Sequence, residues 1–353
     1  MKINIKEKEY QQLMDTLDEN IFLGEFYNHY LLENYATIQE EMIKKYGSFY
    51  QALLYVEEIK ENSIEEKIIK KHGGNDIVCL SSEEYLSNPF FKTIQCENIK
   101  EQNWELFYNY YAPYEGFVSQ DVYVDENQFY LEKTHLAFFK ETFPYLAVLQ
   151  DGKVWMSITP HEMNTMKESI QQASGKIVVY GLGLGYFPFM CSLKESVEKI
   201  TIIEKDENVI SLFKKYLLNQ FPNKEKINIV CEDALTFAKK DKRFDYAFVD
   251  LWHDADDGVE IYIRMKQLEK ENIVYSYWIE DSLLSMIRRC LLVLVDESYK
   301  NQEFMMTDSM NFYDKLIYKL YLASQDVEIN DYDMLKQFLS KESILSLIKK
   351  IRL

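Results

Sequence analysis

Arginine is scarce, supplying 5 of the 40 basic residues, and the net charge is −18. Arginine is the usual bidentate reader of phosphates and base edges. Its shortage and the acidic balance argue against a broad nucleic-acid surface. Proline (6) and glycine (11) are also few, while 27 Tyr and 21 Phe need burial, which argues against wholesale disorder. No stretch reaches 18 uncharged apolar residues, so no spanning helix of ordinary length is expected. The opening Met1-Lys2-Ile3-Asn4-Ile5-Lys6 has no apolar run behind it, and a cytoplasmic protein is expected. The five cysteines (Cys79, Cys96, Cys191, Cys231, Cys290) stand at wide, irregular spacing. They fit reduced thiols, not a disulfide framework or a cysteine zinc site.

What is present suits a folded chain with a large core: 353 residues, 47% apolar and 28% charged. That length gives room for about two domains. The charge is uneven. Residues 1–175 carry −14, residues 176–255 are neutral, and residues 256–353 carry −4. Residues 8–71 read as helical, and His72-Gly73-Gly74-Asn75-Asp76 breaks the pattern. Residues 77–158 are mixed, with short strands at 122–124 and 129–131 and a hairpin about Asp151-Gly152. Asn88-Pro89 is read as a turn. Thr159-Pro160-His161-Glu162 reads as a capping box that opens a helix ending at Gly175, and the stretch 155–162 reads alternatively as a lid or substrate wall, the structural role being preferred.

Strands and helices then alternate. Strands are expected at 177–180, 200–203, 227–230, 245–249 and 274–278, with Asp206 capping one of the helices between them. This rhythm predicts a doubly wound parallel sheet. Helices are expected at 282–299, 311–323, 331–339 and 342–351, and Leu291–Val295 reads equally as a strand. The chain is thus read as α/β, with a Rossmann-like sheet domain at 159–281. An N-terminal α+β accessory domain (1–158) precedes it, and a helical C-terminal extension (282–353) follows.

The strand Ile177-Val178-Val179-Tyr180 runs into Gly181-Leu182-Gly183-Leu184-Gly185, and Glu204-Lys205 follows the next strand. Glycine lets a backbone turn tightly and approach a ligand. An acid at the end of the second strand can accept hydrogen bonds from both hydroxyls of a ribose. A dinucleotide site would prefer G-x-G-x-x-G, which is absent. Cys231-Glu232-Asp233-Ala234 follows the third strand, where Asp233 can meet an adenine amino group or cap a helix, or do both.

On these residues the stretch 176–255 resembles the class I S-adenosylmethionine-dependent methyltransferases, and also their spermidine-synthase-like branch. The resemblance implies S-adenosyl-L-methionine as cofactor, held by Tyr180, Gly181, Gly183, Gly185, Glu204, Lys205, Asp233, Ala234 and Asp250. One departure stands out. Most members carry an acid two positions before the first glycine, near the methionine end of the cofactor, and this chain has Val179. The cofactor's amino group then needs another partner, from the loop backbone or from the accessory domain.

Asp250-Leu251-Trp252-His253-Asp254-Ala255-Asp256-Asp257 follows the fourth strand, where ligands of open α/β sheets bind. Asp250, His253 and Asp254 are the catalytic candidates: His253 as the base, Asp250 or Asp254 to orient it or place the acceptor. Trp252 can wall the site. The octet also reads as a capping loop in which Asp257 and Glu260 form a box. Glu280 and Asp281 are expected over the same pocket, and Asp281 also suits a helix N-cap. The octet matches no calcium-loop spacing, so no metal is expected. The leading reading is a methyltransferase with a small-molecule or protein acceptor. An aminopropyltransferase, an inactive cofactor-binding module and a dehydrogenase are the alternatives. Nucleic acid and membrane are not expected as partners, and the oligomeric state, a homodimer included, is open.

Overall fold

The structure is a computed structural model that describes residues 1–240, 243–302 and 311–351. Four antiparallel strands form one sheet of the accessory region: β1 (Ile99–Glu101), β2 (Trp104–Tyr111), β3 (Phe143–Gln150) and β4 (Lys153–Ser157), in the order β4-β3-β2-β1. The strand β2 was not expected. Its sequence Trp-Glu-Leu-Phe-Tyr-Asn-Tyr-Tyr is aromatic on both faces, so it carries no clean alternation of period two. β4 is the edge strand, and its pairing with β3 shifts register at Trp155. This irregularity re-aims a side chain at the sheet edge.

The expected parallel sheet is present. It comprises β5 (Gly175–Tyr180), β6 (Val197–Glu204), β7 (Ile227–Cys231), β8 (Tyr246–Val249) and β9 (Val274–Tyr277), in the order β7-β6-β5-β8-β9. Every pairing is parallel. β5 sits between β6 and β8, so the strand order reverses at its carboxyl end, where a crevice opens. Ile177, Val178, Ile200, Ile202 and Ala247 are fully buried, as strands covered by helices on both faces require.

Helices follow the sequence reading with local corrections. Glu7–His29 is long and helical, and so are 40–46, 49–56 and 64–71. The segment after Thr159 breaks at Met166 into two short helices, α1 (Pro160–Thr165) and a second at 167–172. Pro160 stands at its first turn, but the Thr159 side chain makes no cap bond and the capping box does not form. Leu291–Val295 is helix, within α2 (Glu280–Tyr299), whose buried stripe recurs at helical spacing. Asp281 does not cap α2. Ile279 stands there in the left-handed region at φ 45°.

One hydrophobic cluster joins residues of all three expected segments, among them Tyr10, Trp104, Ile177, Phe248, Leu291 and Leu347. Residues 2–3 pair in parallel with 328–329, a contact between chain ends that no local pattern announces. No helix among the described residues is long and apolar enough to cross a membrane.

Candidate active site

The loop after β5 turns on positive φ at Gly181 (99°), Gly183 (49°) and Gly185 (78°). The close approaches these glycines permit are made by the protein itself. A Cβ on Gly181 would lie 1.9 Å from the Asp250 carbonyl oxygen, and one on Gly183 would lie 1.9 Å from Met156 Sδ. Met156 comes from β4, and the Leu184 N–H points at its sulfur at 3.2 Å. The accessory sheet therefore lies directly on the glycine loop.

A cavity of about 600 Å³ opens beside this contact. Gly181, Leu182 and Gly183 form one wall, and Glu204, Lys205, Asp233 and Ala234 lie along it. Asp250, Trp252, His253 and Asp257 form the other end, roofed by Val154, Trp155 and Met156 of β4. Tyr180 and Gly185 stand outside the lining. Tyr180 is buried with its ring against Phe237, and Gly185 packs on Phe213 and Phe221.

Glu204 is held by its own neighbourhood. Its Oε2 accepts from the Leu182 N–H at 3.3 Å and its Oε1 from the Asp206 N–H at 2.9 Å. A carboxylate so fixed beside the loop keeps lone pairs free for hydroxyl groups. Asp233 caps the helix Ala234–Ala238, taking both the Thr236 N–H and the Thr236 hydroxyl on Oδ1. Oδ2 remains for a ligand, so capping and adenine contact are compatible. These bonds hold the Asp233 carboxyl below its usual range.

At the other end the structure changes the partners. Asp254 is the N-cap of α3 (Ala255–Gln267) and closes a reciprocal box with Asp257, replacing the expected pairing of Asp257 with Glu260. Asp254 does not line the cavity. Asp257 is the residue that holds His253, accepting from its backbone N–H at 3.0 Å and meeting Nδ1 at 2.8 Å. The His253 ring stands edge-on to Trp155 at 4.9 Å between centroids. Trp252 is buried, and its Nε1–H has no protein acceptor among the described residues.

The residue that sequence reasoning missed is Glu162. Its spacing from Thr159 suggested a cap, yet it projects from α1 into the cavity. Its Oε2 is sealed from solvent and has no hydrogen-bond partner among the described residues. Asp250 is its charged neighbour, and burial pushes both carboxyls up, Asp250 to about 7 and Glu162 well above its usual value. His161, beside it, is half-buried and held neutral, its pKa pushed down to about 4 by desolvation. A capping box and a buried acid share one sequence signature, so only the break at Met166 and the approach of β8 distinguish them. Glu280 and Asp281 line a separate cavity of about 530 Å³, away from the glycine loop.

Residues 151–264 match the family described as "Spermine/spermidine synthase domain". This segment is homologous to the spermidine synthases. The match covers less than half of the chain, and it includes the glycine loop, Glu162, Glu204, Asp233, Asp250 and most of α3. It favours the aminopropyltransferase branch, held above as an alternative, over the methyltransferase reading. The chain is also similar to the crystal structure of spermidine synthase from Thermotoga maritima, at 19% identity and TM-score 0.30, covering 37% of this chain and 48% of that one. A spermidine synthase in complex with the transition state analogue AdoDATO matches at 17% identity and TM-score 0.32, covering 44% and 57%. The chain thus spans about half the length of those solved structures. No curated protein matches the chain.

Proposed function

We propose that this protein transfers an aminopropyl group from decarboxylated S-adenosylmethionine to a primary amine. The observation that carries this reading is the charge of the reaction end. Its lining has Glu162, Asp250 and Asp257 and, as a base, only His253. Lys205, the other basic residue of the lining, interacts with Asp233 at the adenine end. A methionine carboxylate would face these acids with no lysine or arginine of the lining beside it, an unfavourable like-charge contact. The decarboxylated donor brings only positive charge there, and so does a polyamine acceptor.

The roles follow from this charge. Glu204 receives the ribose hydroxyls and Asp233 the adenine amine. Asp250 holds the acceptor's ammonium near the sulfonium. His253, oriented by Asp257 through Nδ1, takes the proton that frees the amine's lone pair. The nitrogen then bonds to the aminopropyl carbon, the carbon–sulfur bond breaks, and its electron pair stays on sulfur to give 5′-methylthioadenosine. Alignment supplies most of the acceleration.

Chromatography of reactions with each donor and a panel of diamines tests the reading. Formation of 5′-methylthioadenosine from the decarboxylated donor, with loss on Asp250→Asn, is expected. S-adenosylhomocysteine formed from S-adenosylmethionine would return the protein to the methyltransferases. Binding without turnover of either donor would make it a cofactor-binding module.

A further inference from the structure

The donor's side chain ends in a primary ammonium, and the glycine loop supplies no acid to hold it. Position 179 is Val, buried in β5, and positions 182 and 184 are Leu. The loop's closest approaches are already occupied, by the Asp250 carbonyl and by Met156. A carboxylate must come from elsewhere.

Of the three acids at this end of the cavity, Asp257 is engaged by His253, and the other two come from different elements. Asp250 ends β8, and Glu162 comes from α1, ahead of the sheet. Glu162 is the one with an oxygen that is both sealed from solvent and unpartnered. As a whole residue Glu162 is half-buried, and it lines the cavity. Two half-buried acids that line one cavity and repel each other are costly to ionise. A buried polar atom left without a partner needs an explanation, and for a residue that lines a cavity a ligand of that cavity supplies one. The neighbouring polar groups are committed elsewhere: Thr165 accepts from Trp278 Nε1–H at 3.0 Å, and Asn164 bonds Tyr85 and Ser119.

We infer that Glu162 is the ammonium ligand for the donor's side chain, replacing from α1 the acid that position 179 lacks. The two acids then divide the work, Glu162 fixing the donor's ammonium and Asp250 remaining for the acceptor. The assignment rests on the cavity being an adenosyl-donor site, and it holds for either donor, because S-adenosylmethionine carries the same ammonium.

Calorimetric titration of wild type and Glu162→Gln with three probes tests it: decarboxylated S-adenosylmethionine, S-adenosylmethionine and 5′-methylthioadenosine. The last has the nucleoside and the sulfur but no ammonium. Loss of a charge-assisted hydrogen bond predicts ~10–100-fold weaker binding of the two ammonium-bearing probes. Binding of 5′-methylthioadenosine should change by less than about threefold. Equal weakening of all three, or none, overturns the assignment. If the variant does not fold, a crystal structure of the wild type with decarboxylated donor decides. Nitrogen within ~3 Å of the Glu162 carboxylate supports the assignment. Nitrogen on backbone carbonyls, with Glu162 beyond ~4 Å, overturns it. A wild type that prefers S-adenosylmethionine over its decarboxylated form would sink the aminopropyl reading and leave the role of Glu162 standing.

Discussion

Asp250 and Glu162 make the site sensitive to pH. Both carboxyls are raised by burial, Asp250 to about 7. Between pH 4 and 7 the unfolded chain releases these protons while the native state keeps them, so stability falls as pH rises. Asp250→Asn removes one of the two acids and relieves the other. Its melting temperature should match wild type near pH 4 and exceed it by ~2–5 °C at pH 8. Calorimetric melts across that range check this, and parallel curves would show that the carboxylates are not protonated in the native state. Glu162 was hidden from sequence reasoning for a physical reason. An acid three residues after a threonine satisfies a helix terminus on paper, and its burial depends on what β8 brings beside it.

At the scale of elements, α3 ties the loop after β8 to the fold. Asp254 accepts from the Asp256 and Asp257 N–H groups, and Asp257 in turn holds His253. Asp254→Ala should cost ~1 kcal/mol by the usual worth of an N-cap. It should also lower kcat more than it raises donor KM, since it loosens the His253 support and leaves Glu204 and Asp233 in place. Denaturant titration and steady-state kinetics read the two effects separately. The sequence showed that this loop is both acidic and capping. Which aspartate does which follows from where the helix starts: Asp254, not Asp257, takes the extended conformation that precedes the first helical turn.

The whole molecule is held by contacts between distant segments. Glu132, buried, accepts from the Ser285 hydroxyl of α2 and from Arg289 at 2.5 Å, and its backbone N–H reaches Asn20. The Tyr130 hydroxyl bonds the Lys336 carbonyl at 2.5 Å, and Arg288 covers the Tyr130 ring at 4.8 Å. These ties join residues 20, 130–132, 285–289 and 336. Glu132→Gln should destabilise the protein by ~2 kcal/mol, below the usual worth of a fully buried pair because the Arg289 side chain is partly in water. A melt monitored at once by tryptophan fluorescence and far-ultraviolet dichroism should show one transition, since accessory, sheet and C-terminal residues share a core. Two separated transitions would contradict that.

The sequence by itself determined the parallel sheet, the glycine turn and the acids at its strand ends. Each of these is local: a buried apolar strand, a positive φ and a strand-end carboxylate are written within about thirty residues, and their periodicity survives any packing. Tertiary structure decided the rest. That Met156 rests on the glycine loop, that Glu162 meets Asp250, and that Glu280 and Asp281 face a different cavity all depend on how β4, α1 and α2 pack against the sheet. Packing of this kind is set by many weak contacts summed across the core, and no short stretch of sequence records it.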